Sequence, residues 1–313
     1  MTMAVPAGWL GPDQNFLGLD EPWCDPDRAG VYVLPAPYEH TSSYIPGSDL
    51  GPAAILEASR QVELYDETLG CEPYREWGGV ATARALDLHG KVDREAVDAI
   101  EAFVRPHVEP GRFILTMTGE HTGALGAIRA HARQCPDLCV VQVDAHGDLR
   151  QAYEGNPFSH ASVMARVVED GLPLVQVGIR SISPEEIERI NRTKTISSFF
   201  AEKILDPSGP YEGRAAKWVP DVVKACTGPV YLTFDCDGLD ASLVPALGTP
   251  EPGGLTWYDT LTLVTALANG PGIIGMDVSE LAPIKGFVAP QFAIARLLYR
   301  ILGRVRAARN RGR

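Results

Sequence analysis

The sequence contains little cysteine, no long apolar run and a minority of positive charges. Six of its 313 residues are cysteine, and none of them forms a C-x-x-C pair. Sparse cysteine in a chain of this length is typical of reduced thiols, so we expect a cytoplasmic protein without a disulfide framework. Residues 1–14 have neither the basic nor the apolar region of a secretory signal, and no stretch of 18 apolar residues predicts a transmembrane helix.

The net charge of the chain indicates which classes of binding partner to expect. Lys and Arg total 28 against 40 Asp and Glu, which leaves a formal net charge of −12 at pH 7. An acidic surface repels phosphate backbones, so we expect no nucleic-acid partner, and it favours a small cationic ligand. A composition of 45% apolar and 22% charged residues is typical of a soluble globular protein and excludes collagen-like, coiled-coil and disordered classes.

Short apolar, β-branched runs alternate along the chain with longer helical patterns. The strand runs are 30–37, 112–119, 138–146, 173–179, 229–237 and 272–280, and the helical patterns are 93–108, 121–134, 161–171, 257–270 and 289–308. Several runs lack polar alternation, which is typical of strands buried on both faces of a parallel sheet. The pattern predicts an α/β fold with helices on both faces of the sheet. We predict an irregular N-terminal arm over residues 1–29 and a single domain over residues 30–313.

Acidic and imidazole side chains follow three of the apolar runs. They are Asp144, His146 and Asp148 after the run at 138–144, Asp235 and Asp237 after the run at 229–235, and His121 after the run at 112–118. Ligands of open α/β sheets bind beyond the carboxyl ends of the strands. Taken singly, such an Asp is often a helix cap and such a His a core residue. The D-x-H-x-D and D-x-D spacings together favour a metal site, because adjacent carboxylates repel unless a cation lies between them.

The donor set indicates which metal chemistry to expect. Four carboxylates and two imidazoles without a thiolate are too many ligands for one tetrahedral zinc. Oxygen-rich sites with some imidazole suit Mn²⁺, and several carboxylates can bridge two ions. Nickel and cobalt stay open as alternatives, since the ligand set tolerates each of them.

Several longer segments resemble the ureohydrolase family of arginases and agmatinases, and most of all the agmatinases. They are PYEHTSSYIPGSDLGPAAILEAS (37–59), GEHTGALGA (119–127), VDAHGDLR (143–150), FSHASVMAR (158–166), FDCDGLDASLVPALGTPEPGGLTW (234–257) and MDVSELAP (276–283). The resemblance runs from about residue 30 to the C-terminus in the family's motif order. It implies a three-layer arginase-like fold with a central, mostly parallel sheet, and a single ureohydrolase domain over residues 30–313.

The resemblance also implies an active site with two Mn²⁺ per subunit. One ion would be held by His121, Asp144, Asp148 and Asp235, and the other by His146, Asp144, Asp235 and Asp237, with Asp144 and Asp235 as bridges. In the family an activated water attacks the guanidinium carbon, and urea leaves. Asp148 would also bind that water, His160 would shuttle a proton to the leaving amine, and Glu280 would orient the guanidinium. A homo-oligomer, trimer or hexamer, is expected on the same grounds.

The substrate is predicted less specifically than the chemistry. Leu149 follows the D-x-H-x-D motif where arginase-like proteins place a polar residue, which favours agmatine, or a longer aminopropyl relative, over an α-amino acid. Hydrolysis of agmatine yields putrescine and urea, a step of polyamine biosynthesis. Arg150 could instead pair with the carboxylate of a guanidino acid such as 4-guanidinobutanoate. Leu247, at a position where Gly or Thr is usual, is expected to reshape the pocket floor.

Two further classes were compared with this prediction. A deacetylase-like mononuclear amidohydrolase shares the fold, but Asp237 and His121 argue against it. A non-catalytic relative is disfavoured because all six metal-ligand positions are present. Among the other residues, His131 is predicted to lie on the surface of a helix. A capping box is predicted to start a helix at Ser183.

Overall fold

The computed structural model describes residues 6–311, in which eight short strands form one sheet with every neighbouring pair parallel. The strands are β1 Val31–Ala36, β2 Val80–Thr82, β3 Phe113–Thr118, β4 Cys139–Val143, β5 Leu174–Ile179, β6 Ile196–Phe200, β7 Val230–Asp235 and β8 Ile273–Ser279. Their order across the sheet is β2-β1-β3-β8-β7-β4-β5-β6. Each of the six predicted strand runs contains one of these strands. β2 and β6, at the two edges, were not predicted.

Helices cover both faces of the sheet, as predicted. They are α1 Gly51–Ser59, α2 Pro73–Glu76, α3 Asp93–Val104, α4 Ala124–Ala132, α5 Val163–Glu169, α6 Pro184–Arg192, α7 Ala201–Leu205, α8 Ala215–Ala225, α9 Trp257–Asn269 and α10 Ala289–Arg311. Alternate strand residues face opposite layers. Val31 and Val33 pack in the core that includes α1, α8, α9 and α10, whereas Tyr32 and Leu34 pack in the core with α3, α4 and α5.

The N-terminal segment packs against the domain. Between residue 6 and residue 29 its regular structure is a single 3₁₀ turn, Phe16–Gly18. Phe16 and Leu17 are buried, and their backbone N–H groups donate to Thr82 Oγ1 (2.9 Å) and Ser59 Oγ (2.8 Å). The chain here is short of regular structure but contributes apolar side chains to the core. The domain boundary at residues 29 and 30 stays a prediction, and residues 1–5 of the predicted arm lie outside the described residues.

One prediction about a histidine is wrong. The side chain of His131 is 1% exposed, because it lies on the face of α4 that packs against the sheet. Its Nδ1–H donates to the Ala127 carbonyl (2.8 Å), and its ring lies 4.8 Å from that of Tyr231. Burial lowers the pKa of His131 to about 4, so the ring is neutral. The capping box at Ser183 and Glu186 is confirmed.

The basic C-terminal helix is tied to the domain by buried ion pairs. Arg300 and Arg304 on α10 lie 2.5 Å and 3.1 Å from the two carboxylate oxygens of Asp66. Burial alone would raise the pKa of Asp66, but the hydrogen bond from Arg300 and the charges of both arginines lower it below its usual value. The helix runs to Arg311, beyond the predicted end at residue 308. Across residues 6–311, no helix combines the length and apolar character needed to cross a membrane.

Candidate metal centre and active site

The predicted ligands converge because four neighbouring strands end at the same edge of the sheet. β3, β8, β7 and β4 are adjacent in that order, and all point the same way. The residues that follow them are His121 in the 3₁₀ turn after β3, Glu280 after β8, Asp235 and Asp237 at the end of β7, and Asp144 after β4. The central carboxyl edge of the sheet is therefore lined by acids and imidazoles.

The first group of possible metal ligands surrounds His121. Its Nδ1 lies 2.9 Å from Asp148 Oδ2, 3.1 Å from Asp144 Oδ2 and 3.5 Å from Asp235 Oδ2. Potential ligand atoms of His121, Asp144 and Asp235 all lie within 4.8 Å of one another. All four side chains are buried. This group can hold one ion.

The second group surrounds His146. Its Nδ1 lies 2.9 Å from Asp237 Oδ2 and 3.8 Å from Asp144 Oδ1. Ligand atoms of Asp144, His146 and Asp237 again lie within 4.8 Å of one another. Asp144 belongs to both groups, so the two possible ion positions are neighbours. Asp235 falls in the first group alone, and its bridging role stays a prediction.

The backbone around these side chains is unusual in two places. Asp148 has a φ of 52° and Glu280 a φ of 65°, both in the left-handed region that favours glycine. Such conformations cost of order 1–3 kcal/mol and are concentrated at functional sites. Gly238 allows the end of β7 to approach β4, since a Cβ at that position would lie 2.8 Å from the Asp144 backbone nitrogen.

At Asp237 the charge of His146 outweighs burial and lowers the pKa, but burial opposes the ionisation of the other carboxylates of this cluster. It raises the pKa of Asp148 to about 7, with the charge of Asp144 adding to the effect. Burial and neighbouring acids likewise raise the pKa of Asp235 and of Glu280 well above their usual values. Opposing its own burial, the charge of Asp237 raises the pKa of His146 to about 10.

The numbers of acidic and basic side chains at the site test whether divalent cations fit there. The ion pairs of the four buried aspartates are with histidines, His121 and His146. A divalent cation in each group would replace the histidine protons and offset the repulsion between the carboxylates. The oxygen-rich donor set, with one imidazole in each group, suits such ions. The residues therefore fit the predicted pair of metals.

His160 and Glu280 lie beside the cluster. His160 opens a 3₁₀ turn, His160–Ser162, and its Nδ1 is 3.0 Å from Thr41 Oγ1. Burial lowers the pKa of His160, against the opposing charge of Glu120. Glu280 accepts a hydrogen bond from the backbone N–H of His121 at Oε1 (2.6 Å), which fixes one oxygen of its carboxylate.

Two cavities connect the cluster with the surface, and both are lined by His146, Asp148 and His160. The inner cavity also contacts His121, Asp235, Asp237, Glu280, Gly248 and Thr249. The outer cavity, of about 230 Å³, also contacts Ser43, Arg150, Tyr153, Glu186 and Thr249. The structure thus brings all eight predicted site residues together: seven of them line the two cavities, and Asp144, which belongs to both ligand groups, lines neither.

Three residues named in the substrate prediction lie at different places around the cavities, and Leu247 does not line the pocket as predicted. Leu247 is 3% exposed and packs in the core, so its neighbours Gly248 and Thr249 line the inner cavity in its place. Leu149 is buried and cannot contact a substrate tail. Arg150 does line the outer cavity, 4.0 Å from Glu186 and over the ring of Tyr153.

Other cavity residues were not singled out from the sequence. Thr41, Ser43 and Tyr153 surround His160 or line the outer cavity. Thr41 and Ser43 fall in the segment 37–59 that resembles the family's N-terminal signature. That signature was the available signal, but hydroxyl side chains in a loop have no spacing that assigns them to a site.

Within the described residues, a wholly parallel sheet with two groups of possible metal ligands at its carboxyl edge agrees with a metal-dependent hydrolase of the predicted class, and so do the comparisons with known proteins. The model of the arginase family matches residues 29–303. N(1)-aminopropylagmatine ureohydrolase of Synechocystis sp. is 41% identical over 88% of this chain and 89% of its own length. Agmatinase of Bacillus anthracis is 33% identical over 82% of this chain and 85% of its own. The structure of agmatine ureohydrolase of Thermoplasma volcanium matches with a TM-score of 0.78 and 28% identity, over 91% of this chain and 92% of that one.

The chain belongs to the arginase family. It is a ureohydrolase that acts on guanidino compounds, and the family is one of binuclear metal enzymes. The predicted family and arginase-like fold are confirmed. The sheet was predicted to be mostly parallel, and within residues 6–311 it is entirely so.

Proposed function

We propose that this protein hydrolyses agmatine to putrescine and urea with two Mn²⁺ per subunit. One observation carries the proposal. Beside the inner cavity, the buried carboxylates outnumber the cationic side chains. His121, Asp144, Asp148 and Asp235 would hold one ion, and His146, Asp144, Asp235 and Asp237 the other. Bound there, divalent ions lower the pKa of water and so supply a nucleophile near neutral pH.

Glu280 is proposed to orient the guanidinium group. A guanidinium is planar and presents paired N–H donors, which a carboxylate grips bidentately. One oxygen of Glu280 is already held by the backbone N–H of His121, so the carboxylate is fixed before substrate binds. Fixing it limits the orientations of a poor electrophile and reduces the entropic cost of reaction.

His160 is proposed to deliver a proton to the leaving amine. It lines both cavities, beside Asp148 and within the reach of a substrate whose guanidinium meets Glu280. Cleavage of the C–N bond leaves an alkylamine that must gain a proton, and an imidazole supplies it near neutral pH. Asp148 is placed next to His121 and is proposed to bind the attacking water as well as a metal.

A substrate with a cationic tail fits the charge of the site. Four aspartates and two divalent cations cancel, and Glu280 then leaves the site negative. N1-aminopropylagmatine is the second candidate, because relatives of this chain bear the name of that activity and the outer cavity gives about 230 Å³ for a longer tail. A guanidino acid such as 4-guanidinobutanoate is the third, because Arg150 lines the outer cavity.

The test is urea release by manganese-loaded protein with agmatine, N1-aminopropylagmatine, 4-guanidinobutanoate, arginine and guanidine. A preference for agmatine is expected. A preference for the aminopropyl compound would make N1-aminopropylagmatine the substrate. A preference for the guanidino acid would indicate that Arg150 binds the carboxylate of the substrate. Metal analysis of the same samples is expected to give two ions per chain. A value near one would contradict the binuclear site and favour a mononuclear amidohydrolase, and parallel loading with nickel and cobalt tests the choice of manganese.

We also propose a cytoplasmic homo-oligomer, trimer or hexamer. Apolar side chains at and near the start of α10 support self-association, since Val288 is 68% exposed and Phe292 40% exposed. Light scattering after size-exclusion chromatography is expected to give three or six times the mass of the 33.8 kDa chain. A monomer would contradict this part of the proposal.

A further inference from the structure

Behind His160 lies a buried carboxylate to which the proposed mechanism assigns no role. Glu120 is fully buried between β3 and the 3₁₀ turn that carries His121. Its Oε2 accepts hydrogen bonds from the backbone N–H groups of His40 (2.7 Å) and Thr41 (2.5 Å). Its Oε1 accepts from the hydroxyls of Thr41 (2.8 Å) and Thr122 (2.7 Å). Four donors therefore converge on one carboxylate.

The hydroxyl of Thr41 links this carboxylate with His160. Thr41 Oγ1 lies 3.0 Å from His160 Nδ1 and accepts a hydrogen bond from the His160 backbone N–H (3.1 Å). A hydroxyl has one hydrogen and two lone pairs. A carboxylate is an acceptor, so the hydrogen of Thr41 is directed to Glu120. One lone pair of Thr41 is used by the His160 backbone, which leaves the other to accept a hydrogen from Nδ1.

This count determines the tautomer of the imidazole. With the proton on Nδ1 and donated to Thr41, the neutral ring of His160 carries its lone pair on Nε2. His160 lines both cavities, so this nitrogen is the one available to the reaction. Orientation of a catalytic imidazole by a hydrogen bond at its other nitrogen is a general device.

Resting on the shuttle role of His160 proposed above, we propose that Thr41 and Glu120 are positioning residues for that histidine: Glu120 sets the direction of the Thr41 hydroxyl, and Thr41 holds His160 as the Nδ1–H tautomer. Nε2 takes up the proton that the attacking water gives up and transfers it to the leaving nitrogen as the C–N bond breaks. The Nδ1 proton and the Thr41 hydroxyl proton stay where they are. The charge of Glu120 stabilises the intermediate imidazolium across the hydroxyl.

Three variants separate this role from a purely structural one. Thr41→Val keeps the shape and removes the hydroxyl, whereas Thr41→Ser keeps the hydroxyl and is the matched control. Glu120→Gln can keep an oxygen toward the backbone N–H groups and turn its amide toward Thr41. The Thr41 hydroxyl would then donate to Nδ1, so this variant is expected to reverse the tautomer.

The first measurement is the solid-state ¹⁵N spectrum of histidine-labelled, manganese-free protein at a pH where His160 is neutral. The resonances of His160 are assigned by their loss in His160→Asn. Wild type and Thr41→Ser are expected to show a protonated Nδ1 and a bare Nε2, and Glu120→Gln the opposite pattern. A bare Nδ1 in wild type would overturn the proposal, whatever the enzymatic activity.

The second measurement is a double-mutant cycle on kcat with agmatine, using variants that retain the melting temperature and two metals per chain. Because general acid catalysis contributes about 10²–10⁴-fold, His160→Asn is expected to lower kcat by about 10²-fold and Thr41→Val by about 10-fold, with KM little changed. In the His160→Asn background, Thr41→Val is expected to cost less than about 2-fold, because coupled residues are not additive. Thr41→Ser is expected to restore most of the activity.

The outcomes distinguish the two proposals. An effect of His160→Asn without one of Thr41→Val overturns the positioning role alone. If Thr41→Val lowers kcat by the same factor in the wild-type and His160→Asn backgrounds, then Thr41 acts through the structure of its loop. This result also overturns the positioning role. An unchanged kcat in His160→Asn overturns both this inference and the shuttle role of His160.

Discussion

Buried acidic side chains are neutralised in different ways in two regions of the protein, around Asp66 and at the carboxyl edge of the sheet. Asp66 is 1% exposed and lies between Arg300 and Arg304 of the C-terminal helix, whose charges lower its pKa. Asp144 and Asp235 are as deeply buried, yet their neighbours are further acids and histidines, and their pKa values are raised. The solvent exposure of these carboxylates is similar in both places, but the cationic partner differs.

The difference shows how charge balance separates structure from function. The Asp66 cluster carries its own counter-charges, so it needs no ligand and joins α10 to the segment that follows α1. At the carboxyl edge, the ion-pair partners of the four aspartates are two histidines, His121 and His146, which are too few to balance them, and a divalent cation is what this donor set would accept. A buried acid is informative about ligand binding only when its partners are counted.

Asp235→Asn is expected to give the largest effect on activity. Loss of a proposed ligand weakens metal binding, and the several kcal/mol that metal ions contribute correspond to a fall of about 10³-fold in kcat. Urea release and metal content measure it. The metal-free variant is expected to melt at or above the temperature of the metal-free wild type, because a repelled charge has been removed. A variant with full metal content and full activity would exclude Asp235 as a ligand.

Asp66→Asn is expected to act on stability and not on catalysis. It leaves two buried guanidinium groups without their shared carboxylate, which costs about 3–5 kcal/mol of unfolding free energy. Denaturant unfolding measures the loss. The neighbouring Glu67→Gln is the control, because that side chain is 64% exposed and surface pairs contribute about 1 kcal/mol or less. Equal losses in the two variants would contradict the comparison.

Metal removal is expected to make stability depend on pH. The folded-state pKa of Asp148 is raised from 3.8 to about 7 and that of His146 from 6.5 to about 10. A raised pKa stabilises the folded protein at low pH, and this contribution is lost as the pH rises, between about 4 and 7 for Asp148 and between 6.5 and 10 for His146. Metals displace these protons, so their binding strengthens over the same range.

The measurement is the melting temperature of metal-loaded and chelator-treated protein at pH 5, 7 and 9. The difference between the two forms is expected to widen from pH 5 to pH 9. In the Asp66→Asn variant the difference in melting temperature should widen by the same amount, because Asp66 is not a proposed metal ligand. A difference that narrows with rising pH would contradict the assignment of raised pKa values to the metal-free cluster.

Arg150→Gln is expected to give the smallest effect on metal binding. Its guanidinium lines the outer cavity and its side chain is 36% exposed, so solvent screens its influence on the acids. The manganese dissociation constant, from titration calorimetry, is expected to change by less than about 5-fold, which corresponds to about 1 kcal/mol. A larger change would make Arg150 a counter-charge of the cluster and would weaken the contrast with Asp66.

Much of the fold could be predicted from the sequence because its central strands are buried on both faces. β4 and β7 are mostly apolar and lack a polar alternation, which is typical of strands in a parallel sheet. β2 has three residues after Gly78 and Gly79, too short for a periodic signal. β6 has the sequence ISSFF, with neither a continuous apolar run nor a polar alternation, and it is half-buried at an edge of the sheet. His131 was misplaced because a polar residue in a helical pattern carries no sign of which face it occupies.

The part of the candidate site that lies within short sequence motifs could be predicted from the sequence. D-x-H-x-D and D-x-D place their side chains at known intervals after a strand, so their proximity depended only on strand order. Strand order itself could not be read from the residues, and neither could the contact of Thr41 with His160. Those two residues are 119 positions apart in the chain, and the contact depends on how the loop after β1 crosses the sheet edge.

The place of β8 in the sheet has a consequence for the order of assembly. This strand is the last of the eight along the chain, yet it lies between β3 and β7, and Glu280 follows it directly. The hydrogen-bonded sheet is continuous from β3 to β7 only when residues 273–279 are in place, although α4 also contacts strands on both sides of them. The candidate metal ligands lie on both sides of β8, with His121 after β3 and the aspartates after β7 and β4. A nascent chain therefore cannot assemble the complete candidate site until residues 273–280, which follow all the other site residues in the sequence, have been made.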